Sequence, residues 1–72
     1  MISYDPFWET LKKSEYTTYS LINKFHISSA IIDKLRNNKP LNTTTINDLC
    51  IILSCNVSDI MTYIYSANDQ TL

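Results

Sequence analysis

The apolar positions of residues 17–38 (TTYSLINKFHISSAIIDKLRNN) fall into two short helical runs with a break between them. Leu21 and Phe25 are four residues apart, one helical turn, and face one way. Ile27 follows only two residues later, out of helical phase, which puts a corner at His26. Ile32 and Leu35 then resume helical spacing. Thr17 and Ser28 are residue types that cap helix N-termini. The pattern therefore predicts helices over about 18–25 and over 29–36 or 29–37. Ile27, just before the second cap, is spaced to staple onto Ile32. The chain has no glycine, so the corner falls to His26, a residue type enriched in left-handed backbone. Two helices on this skeleton cross steeply and leave the second standing proud of the surface.

The same reading extends in both directions. Pro6 suits a first helical turn and Asp5 is the expected N-cap, giving a helix over about 6–14. Phe7 and Leu11 form its inward pair, with Trp8 in the core or on its rim. Asn37, Asn38 and Pro40 end the exposed helix. Asn42 or Thr43 caps a further helix over about 43–53, whose buried stripe is Ile46, Leu49, Cys50 and Leu53. Ile51 and Ile52 lie off that stripe, so this helix is either buried nearly all round or offers an apolar strip to a partner. Asn56 closes it. Ser58 is the expected cap of a fifth helix over 59–65, with Ile60, Met61 and Ile64 inward. Residues 66–72 read as a polar, frayed tail. With connections of two to six residues and no strand pattern, the expectation is a compact all-α bundle of five helices. It forms one domain over 1–72 with its core at about 6–65.

Composition narrows the function. Seventy-two residues with 44% apolar content suit one small folded domain. No apolar run approaches the ~18 residues of a membrane span. The opening MISYDPFWE has no positive n-region, so no signal peptide is expected and the reading is cytoplasmic. Cys50, Cys55 and a single histidine are too few for a tetrahedral zinc site; reduced thiols and no metal or cofactor are expected. Without a glycine-rich phosphate loop or a nucleophile–base motif, an enzyme is not expected. The five tyrosines are expected half-buried with wet hydroxyls, Tyr19 included. The formal charge is −1, although KLRNNK at 34–39 holds three bases and no acid.

The skeleton Leu21, Phe25, Ile27, Ile32, Leu35, the capped Ile27-Ser28 step and the closing LCIILSCNVSDIM resemble small Cro/λ-repressor-type helix-turn-helix regulators of the XRE-like family, over roughly residues 6–65. The resemblance implies a λ-repressor-like DNA-binding fold whose third helix enters the major groove of operator DNA. Ser28, Ser29, Ala30, Asp33, Lys34 and Asn37 would then face outward. Ser28 and Ser29 would meet a base edge or phosphate, Lys34 guanine or phosphate, and Asn37 adenine or phosphate. Asn38 and Lys39 would touch the DNA backbone, and Thr17 and Thr18 a phosphate. It also implies a regulator of a phage-type lysis/lysogeny switch in a bacterial host, acting as a homodimer and with or against a partner repressor. The acid Asp33 and the apolar Ile31 on the reading helix keep a second expectation open. In that one the chain is an antirepressor, a modulator of repression that docks on a repressor's basic face through Tyr19, Ile31, Asp33 and Arg36.

Overall fold

The computed structural model describes residues 1–68; residues 69–72 of the expected polar tail lie outside the described residues. Four α-helices make the body: α1 (Asp5–Lys13), α2 (Thr18–Lys24), α3 (Ser29–Arg36) and α4 (Thr43–Leu53). A single 3₁₀ turn (Val57–Asp59) follows α4. Two short strands, β1 (Ile2–Ser3) and β2 (Thr62–Tyr63), pair antiparallel with Ile2 opposite Tyr63 and Ser3 opposite Thr62. The fold is an all-α helix-turn-helix domain with this small ribbon at one side.

Each helix contributes one apolar face to a single core. Phe7 and Leu11 come from α1, Leu21 from α2, Ile32 and Leu35 from α3, and Ile46 and Leu49 from α4. Tyr4, Ile27 and Ile60 complete it from the connections. Ile27 and Ile32 are both buried, as a staple requires. Phe25 and Ile31 are only partly buried against this cluster. Trp8 sits on the rim, edge-on to Phe7 with ring centroids 4.9 Å apart.

Helix starts follow the sequence closely. The Thr17 side chain accepts from the Ser20 amide at 3.2 Å, and the Ser20 hydroxyl oxygen accepts from the Thr17 amide at 2.8 Å. The Ser28 hydroxyl accepts from the Ile31 amide at 3.2 Å. Asn42 holds the N-cap position of α4 without a side-chain bond. At α1 the expectation needs correcting: Asp5 is already helical, Tyr4 holds the N-cap position, and the Ser3 hydroxyl two residues before Asp5 accepts from the Asp5 amide at 3.2 Å.

Helix ends show what a glycine-free chain does instead. His26, Asn38 and Ser54 take the left-handed backbone at φ of 60°, 53° and 50°. At α3 the Lys39 amide reaches back to the Lys34 carbonyl at 2.9 Å, and at α4 Cys55 reaches Cys50 at 3.0 Å. Both are the six-to-one bond of a Schellman cap.

The fifth helix is absent. Residues 57–59 make one 3₁₀ turn, and 62–63 are strand. Asn56 does not close α4, because Ser54 already does; the Asn56 amide is held by the Asp59 carboxylate at 3.1 Å. Ile60 is fully buried as expected, Met61 is half-buried and Ile64 is exposed. The physical reason is in the residue types. Thr62, Tyr63, Ile64 and Tyr65 are β-branched or aromatic and favour extended backbone. The pairing also holds the chain's start: the Met1 amine donates to the Ile64 carbonyl at 2.6 Å, and the Ile64 amide to the Met1 carbonyl at 2.8 Å.

Candidate nucleic-acid interface

Three long-range bonds hold the last turn of α3 and the loop that follows it. The Trp8 indole donates to the Leu35 carbonyl at 3.3 Å, occupying an otherwise open carbonyl in the last turn of α3. The Tyr4 amide donates to the Asn38 side-chain oxygen at 3.0 Å, and the Tyr4 hydroxyl to the Lys39 carbonyl at 2.8 Å. Burial pushes the Tyr4 hydroxyl above its ordinary pKa, so it stays a donor. With Ile32 and Leu35 buried below, the helix presents a fixed outer face.

On that face Ser28, Ser29, Ala30, Asp33, Lys34 and Asn37 are all exposed. Not all are equally available. The Asn37 amide nitrogen donates back to the Asp33 carbonyl at 2.8 Å. Asn38 has its oxygen taken by Tyr4, and Thr17 spends its hydroxyl and its amide inside the α2 cap. Ser29, Ala30 and Lys34 stand outward, with Lys39 just past the helix. Thr18 is half-buried. Tyr19 is 75% exposed on α2, against the expected half-burial, because its helical phase lies off the buried Leu21. Tyr63 and Tyr65 are exposed too, whereas Tyr4 is buried and bonded to backbone instead of water.

Electrostatics divide the chain in two. Residues 17–39 hold Lys24, Lys34, Arg36 and Lys39 against Asp33 alone, a net +3. The rest holds Lys12 and Lys13 against six acids, a net −4, so the overall −1 conceals a basic unit on an acidic body. Asp33 is also softened: Arg36 lies 3.9 Å from its carboxylate while stacking over the Trp8 ring at 5.6 Å. Lys24 rests over both Tyr16 and Phe25 at 5.6 Å, and those two rings pack edge-to-face. Trp8 and Tyr4 are the supports that local sequence reasoning misses, since their partners lie 27 to 35 residues away.

A family model of the Cro/C1-type helix-turn-helix DNA-binding domain matches residues 7–66. The chain belongs to this family. No curated protein and no solved structure matches it. The matched span covers both helices of the unit, its caps and the basic residues around it. Membership fits the geometry just described: α2 braces, α3 is displayed, and positive charge gathers on that one unit. Among the described residues no group of three His, Cys, Asp or Glu is placed to hold a metal ion, and no helix is long and apolar enough to cross a membrane. Cys50 and Cys55 are free, half-buried thiols. Burial, then the neighbouring Cys50 and Asp59, raise the Cys55 thiol above its usual range.

Proposed function

We propose that this Cro/C1-type domain regulates transcription by placing α3 in the major groove of an operator, as a homodimer within a phage-type lysis/lysogeny switch. The observation that carries the reading is the net +3 on residues 17–39 in a chain whose total is −1. Lys34 and Lys39 neutralise phosphates or reach guanine, Ser28 and Ser29 bond the backbone or a base edge, and Ala30 lets the helix approach closely. Asn37, Asn38, Thr17 and Thr18 shape the ends of the two helices that meet the duplex. Titration of a random-sequence duplex by fluorescence anisotropy tests it. Binding is expected at low salt and falls steeply as salt rises. Lys34→Ala weakens it about tenfold, and lowers the salt slope by about one if the contact is to phosphate. No binding at low salt would sink the proposal.

A second reading keeps the same surface for a protein. The Asp33 side chain is 71% exposed and only loosely paired, and Tyr19 is exposed on α2. An antirepressor would set Asp33 against the basic reading face of a repressor, with Tyr19, Ile31 and Arg36 around it. Ile31 is partly buried, so Tyr19 is the larger anchor. Pull-down with a cognate repressor decides between the readings: this complex requires that Asp33→Lys abolish it.

A further inference from the structure

Cys50 and Cys55 are the two cysteines of the chain, and the end of α4 brings them together. Ser54 takes the left-handed backbone at φ of 50°. The Cys55 amide then donates to the Cys50 carbonyl at 3.0 Å, and the Ser54 amide to the Ile51 carbonyl at 3.3 Å. These are the six-to-one and five-to-two bonds of a complete Schellman cap. In such a cap the side chains at the two ends of the six-to-one bond meet, and an apolar contact commonly fills the place. Here both ends are thiols. Burial, then the Cys50 and Asp59 charges and a hydrogen bond to Cys50, raise the Cys55 thiol, which puts the two sulfurs within hydrogen-bond reach. Neither is sealed in the core. Both are half-buried, and both line one open groove of about 750 Å³ between α4 and the start of the chain, where Tyr4 and Met61 also lie. A small solute in that groove meets both sulfurs. Among the described residues no group of three His, Cys, Asp or Glu is placed around a metal ion, so the chemistry on offer is that of a dithiol.

We infer that Cys50 and Cys55 form a reversible oxidation site, which a hydroperoxide closes to an intramolecular disulfide across the end of α4. The direct backbone bond between the two residues brings their α-carbons into the range of roughly 4.4–6.8 Å that a disulfide spans. Closure takes two steps. The Cys50 thiolate attacks a peroxide oxygen, the O–O bond breaks, and Cys50 becomes a sulfenic acid. The Cys55 sulfur then attacks the Cys50 sulfur, the S–O bond breaks, and the departing hydroxide takes the Cys55 proton as water. With hydrogen peroxide the balance is two thiols and one peroxide to one disulfide and two waters: sulfur is oxidised and peroxide oxygen reduced. Cys55, whose thiol is held above its usual range, gives up its proton less readily and is therefore the second to act. A low-molecular-weight thiol reverses the reaction by exchange. The fold holds the two sulfurs together, whereas the unfolded chain does so only transiently. By linkage, closing the bond favours the folded state.

The test uses the full chain without DNA, so its outcome is independent of the proposed function. The protein is treated with hydrogen peroxide, then with N-ethylmaleimide, and weighed by mass spectrometry. A monomer lighter by two hydrogens that takes up no maleimide is expected, and dithiothreitol should restore both maleimide sites. Equilibration against reduced and oxidised glutathione should give a constant for closure about tenfold or more larger in buffer than in concentrated urea. The oxidised chain should accordingly unfold at higher urea than the reduced one. Cys55→Ser keeps the first sulfur and should stop at a sulfenic acid that dimedone traps. Cys50→Ser should be trapped more slowly under the same conditions. Circular dichroism checks that both variants fold, and the closure constant of the parent stands without them. The inference is overturned if peroxide gives chiefly disulfide-linked dimers or over-oxidised sulfur. Equal closure constants in buffer and in urea overturn it as well, as do thiols that peroxide reaches only in urea.

Discussion

The unit of α2 and α3 and the side formed by α4 and the ribbon are finished in opposite ways. Both helices of the first carry side-chain N-caps, their exposed residues are mostly polar, and the basic charge gathers there. On the second side the N-cap of α4 makes no side-chain bond, and large apolar side chains stand in solvent. The difference separates two kinds of recognition. A polar, stiffened helix reads a polar surface with little reorganisation, whereas an apolar face gains most by being covered. The first side is complete in a single chain; the second is what a partner would finish.

The sharpest way to break this contrast is through the core under α3. Leu35 is buried beneath the reading helix and its carbonyl takes the Trp8 indole. Leu35→Ala is expected to cost about 2–5 kcal/mol in urea unfolding, enough to threaten a domain this small. Tyr63→Ala on the ribbon, measured as monomer, should stay within about 0.5 kcal/mol. If Tyr63→Ala costs as much as Leu35→Ala, the ribbon is part of the folding core and the contrast fails.

Caps test the same contrast at smaller scale. Ser28→Ala removes a side-chain bond to the Ile31 amide and should cost about 1 kcal/mol. Asn42→Ala removes no such bond, so only a few tenths of a kcal/mol are expected. Equal losses in thermal or urea unfolding would mean that bonded caps do not distinguish the reading unit.

The same asymmetry governs what was legible in the residues. Around α2 and α3 the cap types, the helical period and the out-of-phase Ile27 agree, so boundaries, corner and outward face could all be read. His26 at positive φ follows from the absence of glycine. Beyond α4 the signals conflict. Ser58, Asp59, Ile60 and Ile64 mimic a capped helix, but Thr62–Tyr65 prefer extended backbone, and a strand starting 60 residues earlier is there to receive them. No local period reveals a partner at that distance. Site chemistry shows the same limit. Exposure along α3 follows from helical phase, yet the engagement of Asn38 by Tyr4 requires both the left-handed turn at Asn38 and the N-terminal strap.

Tyr4 supplies the finest test, because it belongs to both sides: it lines the groove and bonds the loop that ends α3. Its hydroxyl donates to the Lys39 carbonyl, and burial holds its pKa above the ordinary value of 10.0. The folded chain therefore keeps this proton more tightly than the unfolded chain does. Its contribution is fully present below about pH 10 and is lost as pH rises through the raised folded value. Tyr4→Phe should cost about 1 kcal/mol at neutral pH by deleting the bond, and should also remove this part of the alkaline decline. Urea unfolding at pH 7, 9 and 10.5 reads both effects. If parent and variant decline in parallel above pH 10, Tyr4 is not the group that titrates, and the groove and the reading helix are not joined through its hydroxyl.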